Sequence, residues 1–220
     1  VDMKIVMELS EKYGFKVIED NCDSMGSEIY GKRTGSFGNF HTMSFYASHH
    51  ITCGGMGGMI GTNDEQAAYM IKSMKEWGKG QITVGFEKDH GVVFDSESNG
   101  IPYDHRYSYP NIGYNFKLNE MSAAFGLAQM DRIDGFNRIR RENYRYLRDK
   151  LEKYSEFFGF AEAHPEADPS WFNFPITLKD GIKFTRKDLV EFLENYKIRT
   201  RLFFAGNILA HEGFKNIKII

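Results

Sequence analysis

The chain of 220 residues is 41% hydrophobic, 15% aromatic and 26% charged, which is typical of a folded globular chain and excludes disorder for most of its length. Its 28 basic and 30 acidic residues give a formal net charge of -2, so no broad basic surface for nucleic acid is expected. Two cysteines are too few for a disulfide framework or a zinc-thiolate cage, no apolar run approaches the roughly 20 residues of a membrane span, and no basic-then-apolar leader opens the chain. We therefore expect a cytoplasmic protein with neither nucleic acid nor membrane as a partner.

The first predicted elements are a helix and then a short strand, an order that favours an α/β domain. Val6, Leu9 and Tyr13 share one face of the helix, and Gly14 ends it. Because the chain opens inside this helix, we expect it to be a piece of a longer protein. Residues 15–20 predict a buried strand that ends in two acids, where α/β proteins place ligand-binding groups.

Glycine is dense from Gly26 to Gly61, with short β-type runs such as residues 43–46 between the glycines. This density indicates a backbone that approaches another group closely. Helical spacing returns over residues 65–77. The polar stretch over residues 78–110 has little periodicity and predicts a long loop or lid.

A long helix is predicted to follow that loop. Asn119 is a candidate N-cap, and apolar residues then recur at helical spacing. The pattern runs on through a charged stretch to Lys153, with a kink expected at Gly135. A helix of this length can bridge two domains.

The remainder predicts a small α+β unit. It consists of a strand over residues 171–178, a helix over residues 189–196 and a strand over residues 200–204. We therefore expect an α/β domain over residues 1–134 and, over residues 135–220, the interdomain helix with a small α+β domain.

Several side chains are candidates for chemistry, and each has a plain structural alternative. Asp20 is placed to anchor a cationic ring nitrogen or to cap the next turn. Ser44 is placed to bind a phosphate or to be a satisfied polar residue of a strand. His49, His50 and Cys53 together suggest a zinc site, but adjacent histidines on a strand point in opposite directions, which disfavours a metal.

Eight stretches of the sequence together carry a family resemblance. They are VIEDNCDS at 17–24, GKRTG at 31–35, SFYASHHIT at 44–52, GG at 57–58, YDHRY at 103–107, GYNFKL at 113–118, DPSWF at 168–172 and TRLFFAGN at 200–207. In order and spacing they resemble the DegT/DnrJ/EryC1/StrS sugar aminotransferase family of pyridoxal phosphate (PLP) enzymes. The resemblance covers nearly the whole chain. It implies an α/β protein of PLP-dependent transferase fold type I, the aspartate aminotransferase-like fold, with a partial large domain and a small α+β domain.

One position separates this chain from ordinary members of that family. Those members carry a lysine five residues after the serine of the Ser-Phe pair, and that lysine forms a Schiff base with the cofactor. Here the position holds His49, and no lysine lies between Lys32 and Lys72. An imidazole cannot form a Schiff base, so the resemblance implies a cofactor held without a covalent bond, as pyridoxamine phosphate (PMP). This histidine is the mark of the nucleotide-sugar 3-dehydratase subgroup.

The resemblance also implies roles for the remaining site residues. His49 would be the catalytic base and then acid, and Asp20 would pair with the pyridine nitrogen of the cofactor. Asp23 would lie near the hydroxyl of the cofactor ring, and Ser44 would bind the cofactor phosphate. Asn115 would reach a phosphate across a homodimer interface, so that the active site is shared between subunits.

No iron-sulfur cluster is expected. Dehydratases of the CDP-sugar branch carry a cysteine cluster after a Trp-Gly pair, but here Trp77-Gly78 is followed by no cysteine. A cluster needs about four thiolates, and both cysteines of this chain, Cys22 and Cys53, lie upstream. The sequence therefore fits better the redox-free branch, in which ammonia is released and an amino donor such as glutamate reloads the cofactor.

The function that follows from the resemblance is PMP-dependent removal of the C3 hydroxyl from a nucleotide-diphospho-4-keto-6-deoxyhexose, in dideoxysugar or lipopolysaccharide biosynthesis. The alternatives are a non-catalytic relative with the same fold and an aminotransferase-like sugar-modifying enzyme with other chemistry. The survival together of Asp20, Ser44, His49 and Asn115 favours the enzyme. His41, His50, His105, Arg201 and Asn207 receive no role.

Overall fold

The computed structural model describes residues 1–80, 94 and 96–217. The chain forms two compact units, the first over residues 1–142 and 163–172 and the second over residues 143–162 and 173–220. The boundary between the two units lies between residues 142 and 143, inside a long helix, and the later residues 163–172 belong to the first unit.

The first helix is α1 (Met3–Tyr13). The carboxylate of Asp2 caps it by accepting hydrogen bonds from the backbone N–H groups of Lys4 and Ile5. Gly14 ends it in the left-handed conformation with φ 72°, as the sequence predicts. Helix α1 contributes to a small core in which Met3, Val17 and Ile29 are buried together.

The central sheet of the first unit has the strand order β1-β4-β5. Strand β1 (Ile18–Asp20) runs parallel to β4 (Phe40–Ser44), and β5 (Gly58–Gly61) pairs antiparallel with β4. The predicted strand over residues 15–20 is therefore shorter than expected. The N–H of Val17 bonds to the side chain of Asn39 and not to the backbone of a neighbouring strand. The strand pairing of β1 therefore begins at the next residue, Ile18.

Glu19 in β1 holds the turn that leads into β4. Its buried carboxylate accepts three backbone N–H groups, from Gly35 at 2.7 Å, Phe37 at 2.7 Å and Gly38 at 2.6 Å. Charge-assisted hydrogen bonds of this kind are about twice as strong as neutral ones. Glu19 therefore fixes the path of the chain on the side of β1 away from its neighbour Asp20.

Two small antiparallel sheets account for the remaining strands among the described residues of the first unit. In one of them β2 (Glu28–Ile29) pairs with both β3 (Lys32–Arg33) and β9 (Ala167–Asp168), which ties the returning segment to the N-terminal part. The other is the hairpin of β6 (Ser96–Ser98) and β7 (Ile101–Tyr103), joined by Asn99-Gly100 with φ values of 53° and 78°. A hairpin thus interrupts the predicted loop over residues 78–110, while residues 81–93 and 95 of that loop lie outside the described residues.

The helices α2 (Glu65–Lys75), α3 (Glu120–Met130) and α4 (Ile133–Leu151) follow the predicted order. Asn119 caps α3 by accepting from the N–H of Ser122 at 2.8 Å, as predicted. The expected kink at Gly135 is wrong. The helix breaks earlier, where Arg132 bonds to the carbonyl of Gln129 in a tighter turn, and Gly135 lies inside the next helix.

The second unit contains the antiparallel pair β8 (Phe158–Phe160) and β10 (Ile176–Leu178) and the helix α5 (Arg186–Asn195). The predicted strand over residues 171–178 is mostly wrong, because Trp171 has φ 35° and an extended strand cannot pass through it. The predicted strand over residues 200–204 is also wrong: those residues lie outside any strand, and Phe204 has φ 55°. The predicted helix over residues 189–196 is confirmed as α5, which a capping box of Thr185 and Asp188 starts.

Within the described ranges, no helix combines the length and the apolar character that a membrane crossing requires.

Candidate active site

The parallel pairing of β1 with β4 brings two of the predicted site residues to one edge of the central sheet. Asp20 is the last residue of β1 and lies opposite Thr42, and Ser44 is the last residue of β4. The carboxyl ends of parallel strands are where α/β sheets bind ligands. The backbone topology therefore gives this edge a carboxylate and a hydroxyl.

Asp20 both caps a turn and remains anionic. Its Oδ1 accepts from the backbone N–H of Cys22 at 3.1 Å and from the hydroxyl of Thr42 at 3.3 Å. Hydrogen bonds from Cys22, and then from Thr42, hold the pKa of Asp20 below its ordinary value, and the attraction of His49 lowers it further. The capping interpretation of the sequence is thus correct, and the charge that a cationic partner needs is retained.

Ser44 begins the loop that carries the two histidines. Its hydroxyl accepts from the N–H of Tyr46 at 3.2 Å, and the loop closes where the N–H of Phe45 bonds to the carbonyl of Gly57. The N–H of His49 bonds to the carbonyl of Tyr46, so this stretch is a turn and not a strand. Farther along the loop, the N–H of Thr52 is bound by the side chain of Gln129 in α3, which fixes the loop to that helix.

His49 lies against Asp23, a contact that the sequence does not predict. Its Nδ1 is 2.9 Å from Oδ1 of Asp23, and the geometry of this contact is not that of an aligned hydrogen bond. Both atoms are buried, and the imidazole is 15% exposed. A carboxylate at Nδ1 orients the ring and leaves Nε2 as the nitrogen available for proton transfer.

An aromatic ring from far along the chain covers His49. The ring of Phe172 stacks on the imidazole with centroids 5.4 Å apart and an angle of 27° between the planes. Tyr46 meets the same imidazole edge-on, with centroids 6.2 Å apart. Sequence reasoning missed Phe172, because nothing in a linear sequence connects two residues so far apart.

His50 faces away into the protein and makes a different set of contacts. It is 4% exposed, and its Nε2 is 2.8 Å from the hydroxyl of Ser170. Burial lowers the pKa of His50 to about 4, the positive charge of Arg140 contributes to the lowering, and an interaction with the backbone of Ser170 opposes it. His50 is therefore neutral at neutral pH.

This low pKa makes a prediction about acid stability. Because the folded protein holds His50 neutral while the unfolded chain protonates it near pH 6.5, stability is complete above that pH and falls as the pH drops toward 4. The free energy of unfolding should decrease by about 2 kcal/mol between pH 7.5 and 5 on account of this residue. Urea titrations at the two pH values measure the decrease. The His50→Gln variant is the control, and an equal decrease in that variant would contradict the assignment.

The other residues named from the sequence lie elsewhere or serve the fold. Asn115 is exposed and pairs through its backbone with Glu76, and no contact joins it to Asp20, Ser44 or His49 within the described part of the chain. Asn207 caps a short helical turn by accepting from the N–H of Leu209.

Two of the residues considered for a zinc site, His50 and Cys53, lie in other surroundings. In residues 1–80, 94 and 96–217, no group of three or more His, Cys, Asp or Glu side chains is arranged to hold a metal ion. His50 is committed to Ser170, while Cys53 is buried so close to α3 that a methyl group on Gly126 would lie 2.4 Å from its sulfur.

Taken together, the edge of the sheet presents an anionic carboxylate, a hydroxyl and an oriented imidazole. A carboxylate can hold a cationic nitrogen, a hydroxyl can donate to a phosphate and an imidazole can move a proton near neutral pH. No lysine between Lys32 and Lys72 is present to bind a carbonyl group covalently.

Comparisons with known proteins identify relatives of this chain. The chain is 41% identical over 216 residues to lipopolysaccharide biosynthesis protein RfbH of Salmonella typhimurium, an alignment that covers 97% of this chain and 49% of that protein. It is 38% identical over 216 residues to dTDP-4-dehydro-2,6-dideoxy-D-glucose 3-dehydratase of Saccharopolyspora spinosa, covering 97% of this chain and 46% of that one. The chain spans about half the length of these curated relatives.

A solved structure gives the same result. The structure of the E. coli GDP-4-keto-6-deoxy-D-mannose-3-dehydratase with bound hydrated PLP superposes with a TM-score of 0.81 and 29% identity, covering 95% of this chain and 51% of that one. The model of the DegT/DnrJ/EryC1/StrS aminotransferase family matches residues 1–218. The predicted family and fold are confirmed: the chain belongs to the DegT/DnrJ/EryC1/StrS aminotransferase family and has the mixed α/β fold of PLP-dependent aminotransferases.

Proposed function

We propose that the protein containing this chain removes the C3 hydroxyl from a nucleotide-diphospho-4-keto-6-deoxyhexose, with PMP as its cofactor, in dideoxysugar biosynthesis. The observation that carries this proposal is His49. It stands where family members bind their cofactor through lysine, and its ring is oriented by Asp23 next to the sheet edge of Asp20. Two relatives named as 3-dehydratases of nucleotide-linked sugars support the substrate class.

The residues of the site fit PMP or PLP. Asp20, whose pKa is lowered by its hydrogen bonds, would hold the protonated ring nitrogen, and Ser44 would donate its hydroxyl to the phosphate. Asp23 was assigned to the ring hydroxyl from the family resemblance, and its contact with His49 adds a second role, that of orienting the imidazole. When bound, PMP supplies an amine that condenses with the 4-keto group of the sugar and a ring that accepts electrons.

His49 would move both protons of the elimination. Its Nε2 would take a proton from the methylene carbon of the bound cofactor, and the protonated ring would then give a proton to the departing C3 hydroxyl, which would leave as water. The negative charge of Asp23 at Nδ1 stabilises the imidazolium between these two steps. One residue therefore acts first as a base and then as an acid.

The complete cycle needs no external reductant. The C3 carbon of the sugar would gain two electrons as the aminomethyl group of PMP is oxidised to the aldehyde of PLP. Water would then release the nitrogen as ammonia, and glutamate would convert PLP back to PMP while it becomes 2-oxoglutarate. The cycle would run in the cytoplasm, a reducing setting that suits the free thiols of Cys22 and Cys53.

Product analysis tests this function. The protein that contains this chain, loaded with PMP, is incubated with CDP-, dTDP- and GDP-linked 4-keto-6-deoxyhexoses, with and without glutamate. We expect a 3-deoxy product by mass spectrometry with one of them, ammonia in equal amount, and repeated turnover only with glutamate. A product aminated at C4 with its C3 oxygen retained would support the aminotransferase alternative, and no product would support the non-catalytic one.

We also propose a homodimer in which Asn115 reaches the site of the partner subunit. Asn115 is exposed, and apolar residues close to it in the sequence are strongly exposed as well: Ile112 is 91%, Met121 83% and Phe116 71% exposed. Exposed apolar patches of this kind mark interaction surfaces. A symmetric dimer would bury this surface and bring Asn115 to a phosphate at the other site.

Mixing two inactive variants tests the shared site. His49→Asn removes the base, and Asn115→Asp places a negative charge next to the phosphate, so each homodimer should be inactive. After subunit exchange in equal amounts, half of the dimers contain one site free of both changes, and about one quarter of the wild-type dehydration rate should return. No recovery, with exchange verified by differently tagged subunits, would contradict the shared site.

A further inference from the structure

The turn that carries Phe172 is anchored to the rest of the first unit by several side chains. Strand β9 leads into it, and the guanidinium of Arg141 forms an ion pair with Asp168 at 2.8 Å. Arg140 donates to the carbonyl of Trp171 at 3.2 Å and to the carbonyl of Phe172 at 3.0 Å. The turn is thus held by two neighbouring arginines of helix α4.

A buried hydrogen-bonded chain fixes the middle of this turn. Ser170 is fully buried, its backbone N–H donates to the hydroxyl of Ser27, and the two hydroxyls are 3.0 Å apart. The hydroxyl of Ser170 is also 2.8 Å from Nε2 of His50. His50 therefore links the loop of His49 directly to the turn of Phe172.

The turn also contains a strained residue. Trp171 has φ 35°, a conformation that a residue with a side chain adopts only when its surroundings impose it. Here Ser170, just before Trp171, is held by its hydrogen bond with His50, and the carbonyls of Trp171 and Phe172 are held by Arg140. Backbone strain of this kind often occurs at functional sites, so the side chains that this turn positions are candidates for a function.

The group that the turn places is the ring of Phe172. It stacks on His49, with 5.4 Å between centroids, and it lies 6.3 Å from the ring of His50. A flat apolar wall on one face of an imidazole limits its rotation and keeps water from that face. The ring then stays in the orientation in which Nδ1 meets Asp23.

We propose that Phe172 is a positioning residue for His49, and that His50 holds the Phe172 ring in place through its hydrogen bond to Ser170. The proposal rests on the proposed function only in so far as His49 is the proton carrier. The low pKa of His50 supports this proposal. A neutral imidazole can keep the hydrogen bond to Ser170 around neutral pH without placing a positive charge beside His49.

Three single variants test the proposal in the protein that contains this chain. Phe172→Leu removes the wall, His50→Leu keeps the volume but removes the hydrogen bond, and His50→Gln retains a polar group that can reach Ser170. The first measurement is the NMR signal of the His49 Cε1–H, assigned with His49→Asn, because the Phe172 ring current moves it upfield. We expect Phe172→Leu and His50→Leu to shift it downfield and His50→Gln to leave it near its wild-type position.

The second measurement is the dehydration rate. A displaced base slows proton transfer, so kcat should fall about tenfold in Phe172→Leu and His50→Leu and stay within about threefold of wild type in His50→Gln. Ser170→Ala removes the hydroxyl that bonds to His50, so it breaks the same hydrogen bond. If His50→Leu does not fold, Ser170→Ala is measured in its place. It should shift the His49 signal in the same direction, and the Ser170→Ala/His50→Leu double variant should shift it no further.

An unchanged His49 signal in folded His50→Leu or Ser170→Ala would overturn the proposal, and so would equal damage by His50→Gln and His50→Leu. The NMR readout needs no substrate. If the signals move as expected but the wild-type protein dehydrates no sugar, then the proposed function fails and the positioning of His49 stands.

Discussion

Replacing His49 with asparagine should slow C3 dehydration by about 10²–10⁴-fold, the usual contribution of a positioned acid-base group. Asparagine cannot carry a proton between the cofactor methylene carbon and the C3 hydroxyl, so both proton transfers lose their carrier. The fold should be kept, because the backbone of this turn is bound through the carbonyl of Tyr46 and not through the imidazole. The rate is measured by mass-spectrometric detection of the 3-deoxy product.

Two further variants sharpen this test. His211→Gln changes an exposed histidine whose described contact is with the carbonyl of Ala205, and it should keep the full rate. His49→Lys restores the amine of ordinary family members, and it should lose dehydration while binding PLP covalently, so that borohydride fixes the cofactor to the chain. Unchanged dehydration in His49→Asn would remove His49 from its role.

Replacing Asp20 with asparagine should lower the dehydration rate by about 10²–10³-fold, as expected when an oriented electrostatic partner is lost. The neutral amide cannot hold the positive charge on the cofactor ring nitrogen, so the ring accepts electrons less readily. Stability should change little, because an amide oxygen can still accept from Cys22 and Thr42. Rates at saturating PMP separate this effect from weaker cofactor binding.

The matched control lies next to Asp20 in the same strand. Glu19→Gln replaces a carboxylate that accepts three backbone N–H groups with a neutral amide. The free energy of unfolding should fall by about 1–3 kcal/mol, while the folded fraction of the protein stays active. The two variants thus separate function from stability in adjacent residues. An Asp20→Asn protein with the wild-type rate would exclude the proposed pairing.

Local signals in the sequence were enough to predict most of the helices. The C-terminal end of α1 and the start of α3 follow from a glycine and an asparagine whose conformational preferences act within a few residues. The hairpin of β6 and β7 was also within reach, since Asn99-Gly100 is a strong hairpin signal that the prediction of a long loop passed over. The short strands were not, because pairing with distant partners decides them.

For the candidate site, too, some features could be predicted from the sequence and others could not. Asp20 was identified as a candidate by its place at a strand end and Ser44 by its place ahead of a glycine-rich turn, while His49 was identified by family resemblance. The contact of Asp23 with His49 depends on the folding of a loop, and the stacking of Phe172 on His49 depends on a segment over a hundred residues away. Contacts of that kind have no periodicity or local composition that would reveal them.

Deuterium incorporation tests most directly the claim that His49 moves the proton at the cofactor. The protein that contains this chain is loaded with PLP and given L-glutamate in D₂O, and the PMP that forms is analysed by mass spectrometry and proton NMR. Wild type should place one deuterium on the methylene carbon, while His49→Asn should form less than about 1% as much PMP in the same time. Deuterated PMP formed by His49→Asn at the wild-type rate would contradict the account.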